Sequence, residues 1–151
     1  MALAVVRSLD APRRLDQPGE AEDFEQELVD QYLLATVGAG SGDSTVVEDR
    51  SAIFEFIRFL GGPVWTAQPA DADRFLVHQR KDLHRARLTV QHKAWSLARF
   101  YSFLVARYSG DIERLTGSVV IQIIDEFNRP KKADYGVARV PPSIDERSEE
   151  R

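Results

Sequence analysis

The chain has 151 residues, 20 Lys+Arg against 24 Asp+Glu, and a formal net charge of -4. At 43% hydrophobic it can bury the core of one ordinary domain, and the lack of cysteine excludes a disulfide framework, thiol catalysis and every Cys-ligated metal site. No apolar run approaches the roughly 18 residues that cross a bilayer, and the start Met-Ala-Leu-Ala-Val-Val-Arg lacks the basic leader and long apolar core of a signal peptide, so a cytoplasmic protein is expected.

Residues 1–21 hold two prolines, a glycine and scattered charges without apolar periodicity, and are expected to form a flexible arm. A first helix is predicted over 22–37, with Phe24, Leu28, Tyr32 and Leu33 on one stripe and acidic residues in its early turns. Gly38-Ala39-Gly40-Ser41-Gly42 breaks it. Asp43 or Ser44 is placed to cap a second helix, in which Val46, Val47, Arg50, Ile53, Phe54, Ile57 and Leu60 follow at helical spacing up to Gly61-Gly62-Pro63. A third helix opens at Pro69 and runs to about Lys81, followed by a basic, histidine-bearing linker over 82–88. Thr89 is the expected cap of a fourth helix, whose Val90, Ala94, Leu97, Tyr101, Leu104, Val105 and Tyr108 fall within about 100° of arc. Ser109-Gly110-Asp111 is expected to end it. The apolar, β-branched run 118–124 fits a strand or one buried helical turn equally well, and 131–151 is expected to be an unstructured tail. Four to five helices joined by short Gly- or Pro-marked turns predict an all-α fold, a compact orthogonal bundle over 22–130.

The charge is unevenly spread. Residues 1–49 carry three basic and eleven acidic side chains, whereas 50–132 carry fourteen basic and eight acidic. Within 74–107, Arg74, Arg80, Lys81, Arg85, Arg87, Lys93, Arg99 and Arg107 face only Asp82. A partner meets this local field rather than the net charge, so an anionic partner is expected.

No catalytic set is visible. The three histidines, His78, His84 and His92, lack an i, i+4 pair, and no G-x-S-x-G elbow or phosphate loop occurs. Neither a metal nor a cofactor nor a small-molecule substrate is expected. Anion recognition remains: Arg85, Arg87, Thr89, Gln91, His92 and Lys93 bracket a helix start, where free N–H groups favour phosphate, and Gln, Arg and Lys there are the side chains that reach base edges.

The order Ser44-Thr45, Phe54…Phe56-Ile57…Phe59-Leu60, Trp65, Ala70-Asp71…Phe75-Leu76, Thr89…Lys93…Leu97…Phe100-Tyr101…Phe103-Leu104 and Asp125-Glu126-Phe127-Asn128-Arg129-Pro130-Lys131 resembles the N-terminal core-binding domain of tyrosine recombinases, the phage-integrase type. Residues 134–143 look like the start of the linker to the catalytic domain in actinobacterial-type members. The resemblance covers about residues 23–143 and implies a SAM-like helical bundle that closes one side of a clamp on duplex DNA. The family's catalytic residues belong to the following domain, so none is carried over, Tyr108 and Tyr135 are not nucleophiles, and no enzymatic activity is expected.

On this reading the DNA contacts are Lys81, Arg85, Arg87, Thr89, Gln91, His92, Lys93 and Arg99 on the side of the fourth helix. Thr45 and Arg50 join them on the second, Arg50 lying near the apolar stripe, with Arg129, Lys131 and Lys132 where the chain leaves the bundle. The expected partners are double-stranded DNA and, second, a full-length tyrosine recombinase, with no membrane. The competing expectations are a helical protein-interaction module and a non-functional relic of an integrase gene.

Overall fold

A computed structural model describes residues 14–130. Four α-helices pack around one apolar core: α1 (Glu20–Gly38), α2 (Asp43–Leu60), α3 (Pro69–Val77) and α4 (Arg87–Thr116). The all-α expectation holds, and no strand occurs among the described residues. α2 lies along α4, while α1 and α3 pack against this pair. An aromatic seam joins the two long helices, with the Phe56 and Tyr101 rings 6.3 Å apart.

The first residues described are held in place rather than forming an arm up to residue 21. The Leu15 N–H donates to the Leu115 carbonyl at 2.8 Å, and α1 starts at Glu20, whose carboxylate accepts from the N–H groups of Asp16 and Gln17. The caps also differ from expectation. Gly42 rather than Asp43 or Ser44 stands before α2, and Ala86 rather than Thr89 stands before α4; neither makes a side-chain cap. In α3 the expected start is found, with the Asp71 carboxylate accepting from the Gln68 N–H at 2.7 Å.

The third helix does reach the neighbourhood of Lys81, but its last turn widens into a π turn over His78–Asp82. The imidazole of His78 holds that turn from both sides, bonded to Asp82 at 2.8 Å and stacked on Phe59 at 5.2 Å. His84 then takes a left-handed φ of 53°, and the chain reverses into α4.

α4 runs straight through Ser109-Gly110-Asp111 to Gly117, the left-handed residue that ends it. Gly110 costs a helix interior about 1 kcal/mol relative to Ala. Ile112 and Leu115, both in the core, lie beyond it, and burying them outweighs that penalty. The run 118–124 is neither strand nor helix. It is an irregular strap that buries Val120, Ile123 and Ile124 against the bundle. Its Gln122 side chain ties it to the bundle and serves its backbone: Nε2 donates to the Ala98 carbonyl of α4 at 2.9 Å and to Ser102 Oγ at 2.8 Å, and Oε1 accepts from the Ile124 N–H at 3.0 Å.

Candidate nucleic-acid interface

The start of α4 and its approaches carry a cluster of exposed positive charge. Arg80 and Lys81 project from the π turn, Arg85 from the reversal after His84, and Arg87 from the first residue of α4. Thr89 and His92 follow on the exposed side of the helix, with His92 5.6 Å from the Trp95 ring. A shallow cleft of about 300 Å³ brings Thr89, His92 and Lys93 of α4 against Val47, Glu48 and Ser51 of α2. Thr45 is exposed in the first turn of that same helix. The N-terminal halves of the two long helices therefore share one face.

Not every expected contact residue is free to serve there. Gln91 turns inward at 2% exposure, out of reach of a base edge, and its Oε1 finds no donor. Leaving a buried acceptor unpaired costs about 1–3 kcal/mol. Lys93 is held by Glu55 at 2.8 Å, and Arg85 approaches the same carboxylate at 3.5 Å. Burial pushes the Glu55 carboxyl up, but Lys93, Gln79 and Arg85 together outweigh it and set the group below the ordinary value of 4.5.

Arg99 belongs to a buried network. Asp49, 1% exposed on α2, accepts from Arg99 at 2.6 Å, from Ser96 Oγ at 2.7 Å and from the Tyr32 hydroxyl at 3.1 Å, tying α1, α2 and α4 together. Burial and the Asp49 charge push the Tyr32 hydroxyl up to about 12, with Arg99 opposing. Arg50, expected near the apolar stripe, is exposed and lies over the Phe54 ring at 5.1 Å.

Arg129 is exposed at the far side of the α4 start, on the turn formed by residues 125–129. Asp125 Oδ1 accepts from the N–H groups of Phe127 and Asn128 at 2.9 and 3.0 Å, and Asn128 Oδ1 accepts from the Asp125 N–H at 2.9 Å. Asn128 Nδ2 anchors the turn by donating to Asp73 of α3 at 2.9 Å and to the Ile123 carbonyl at 3.0 Å. Lys131 and Lys132 lie outside the described residues.

Among the described residues no helix is long and apolar enough to cross a membrane, and no group of three or more His, Asp or Glu side chains is spaced to hold a metal ion. No family model, no curated protein and no solved structure matches this chain.

Proposed function

We propose that the chain is a duplex-DNA-binding module of the tyrosine-recombinase core-binding type, gripping the phosphate backbone without chemistry of its own. The observation that carries this reading is the concentration of Arg80, Lys81, Arg85 and Arg87 at the start of α4, a helix with no acidic residue in its first turn. Free N–H groups, the positive end of the helix dipole and the cationic side chains of Arg80, Lys81 and Arg87 act there in the same direction, with Arg85 shared with Glu55. Thr45, Thr89 and His92 on the adjoining α2/α4 face supply neutral and charged donors for a neighbouring stretch of backbone, and Arg50 is exposed farther round α2. Gln91 and Arg99 are withdrawn from this set, because one is buried and the other serves Asp49.

The test is a mobility-shift titration on random duplex DNA between about 50 and 200 mM salt, the range over which a protein with several phosphate contacts loses affinity steeply. Each phosphate-contacting side chain removed lowers the salt slope by about 1, so Arg80→Ala combined with Arg87→Ala lowers it by about 2. A folded protein with no binding at the lower salt refutes the reading.

A second reading, a protein-interaction module that pairs with a recombinase, draws on α1, where Leu34 and Val37 are more than half exposed. Removing α1 would not test it, because Phe24, Leu28, Val29 and Tyr32 of that helix are core residues. Leu34→Glu with Val37→Glu leaves the core intact, and loss of recombinase pairing with DNA binding retained favours it.

A further inference from the structure

We propose that the cleft between the π turn, the start of α4 and the 125–130 turn is a nucleoside-phosphate site, in which Arg80, Arg87 and Arg129 take the phosphate and Phe127 takes the base. The cleft has a volume of about 260 Å³ and draws its arginines from three separate elements. No carboxylate lines it, and among the described residues none of the three has an ion-pair partner. That sets them apart from Arg74, Arg85, Lys93 and Arg99, each of which faces an Asp or a Glu. Three guanidinium groups around one hollow repel each other until an anion enters, and their fixed forks of donors match phosphate oxygens. The start of α4 adds its own donors, since the cap residue Ala86 has no side-chain oxygen to offer them.

One further observation points to a ligand rather than to a merely basic hollow. Phe127 stands at the rim 84% exposed, yet its backbone is fixed by the hydrogen bonds of the Asp125 and Asn128 side chains. An aromatic ring presented from a fixed backbone beside arginines is the arrangement on which an unpaired base stacks while its phosphate is neutralised. The volume falls just below the roughly 300–1,000 Å³ of sites that enclose whole small molecules. It suits a phosphate and part of the sugar, with the base outside on the ring. The ligand is either an unpaired nucleotide within a DNA strand, a source that rests on the DNA-binding reading, or a free nucleotide.

The experiment follows backbone amide chemical shifts of the ¹⁵N-labelled chain during titration with inorganic phosphate, AMP and a short 5′-phosphorylated single strand. Saturable shifts are expected at 87–91 and 127–129, with AMP bound about tenfold more tightly than phosphate because of the stacked base. Phe127→Ala removes that advantage and leaves phosphate affinity unchanged, and Arg87→Ala with Arg129→Ala weakens all three ligands. These side chains are exposed, so the variants keep the fold. The strand binding more tightly than AMP assigns the strand-borne nucleotide, and the reverse order assigns the free one. No saturable shift with millimolar AMP, or an AMP affinity indifferent to Phe127→Ala, overturns the proposal. Duplex mobility shifts run in parallel separate the two readings: duplex binding without AMP binding removes only the cleft, and AMP binding without duplex binding removes only the duplex-binding module.

Discussion

Replacing Asp49 with Ala probes whether the bundle depends on one buried carboxylate. Three donors on two other helices converge on it: the Tyr32 hydroxyl, Ser96 Oγ and the Arg99 guanidinium. Truncation leaves the two hydroxyls without an acceptor in buried surroundings, at about 1 kcal/mol each. The Arg99 arm adds about 1 kcal/mol rather than the value of a fully buried pair, since half of that side chain faces water and is screened. The expected loss is therefore about 3 kcal/mol. With a urea m-value of about 1.5 kcal/mol/M, the unfolding midpoint falls by about 2 M at unchanged m. Asp49→Asn keeps one acceptor and is expected to lose about half as much. Combining Asp49→Ala with Ser96→Ala should give much less than the sum of the single losses, because the two share an interaction. A loss below about 1 kcal/mol for Asp49→Ala, or strict additivity, refutes the network as the tie between α1, α2 and α4. The same reasoning expects Arg99→Ala to lower stability without lowering the salt slope of DNA binding.

Glu55→Gln removes the partner of Lys93 and is expected to cost about 1–2 kcal/mol at pH 7. Because the Glu55 carboxyl sits below its ordinary 4.5 in the folded chain, its contribution is complete above that value and disappears as pH falls below it. The midpoints of variant and parent should converge in acid, as urea titrations at pH 7 and pH 3 would show. Glu25 behaves in the opposite sense. Burial raises its carboxyl, the Val64 N–H partly offsets this, and Glu22 adds to the rise. Its ionised form is thus the disfavoured one, so Glu25→Gln, which keeps an acceptor for Val64, should stabilise the fold at neutral pH and lose that advantage as pH falls through the raised folded value toward 4.5; thermal midpoints at pH 4 and pH 7 decide it. Ile112→Ala is expected to cost about 2–5 kcal/mol in urea unfolding if the helix continues past Gly110 into the core, and well under 1 kcal/mol if it does not.

The sequence pattern foretold the long helices wherever burial repeats every three or four residues, as at Phe24, Leu28 and Tyr32 or at Ala94, Leu97, Tyr101 and Leu104. It misjudged their ends, because local propensity at Gly110 loses to the burial of Ile112 and Leu115, contacts that only the tertiary arrangement creates. The strap was equally illegible: its Gln122 side chain reaches across to the Ala98 carbonyl of α4 and the nearby Asn128 side chain serves its Ile123 carbonyl, which no periodicity records. For the basic residues, composition identified the right stretch but not the individual roles. A Gln one position after Val90 carries no mark of facing inward, and an Arg two positions before Tyr101 carries no mark of an Asp fifty residues earlier. The 125–129 turn did contain a readable signal, since Asp and Asn three apart form side-chain-to-backbone bonds of this kind.

The hydrogen bond from Leu15 to Leu115 places the start of α1 beside the end of α4. Glu20, Glu22 and Asp23 thus gather at the same end of the molecule as Asp111 and Glu113, while Arg80, Lys81, Arg85 and Arg87 occupy the other. Among the described residues charge is thus partly sorted along the longest helix, with Arg14 and Arg114 reducing the negative end and Asp82 the positive one. In the field of a polyanion such a body turns as it approaches and arrives basic end first, so fewer encounters are wasted on wrong orientations. On the proposed DNA-binding reading, added salt slows association by shortening the range of that torque, before it weakens any contact in the complex.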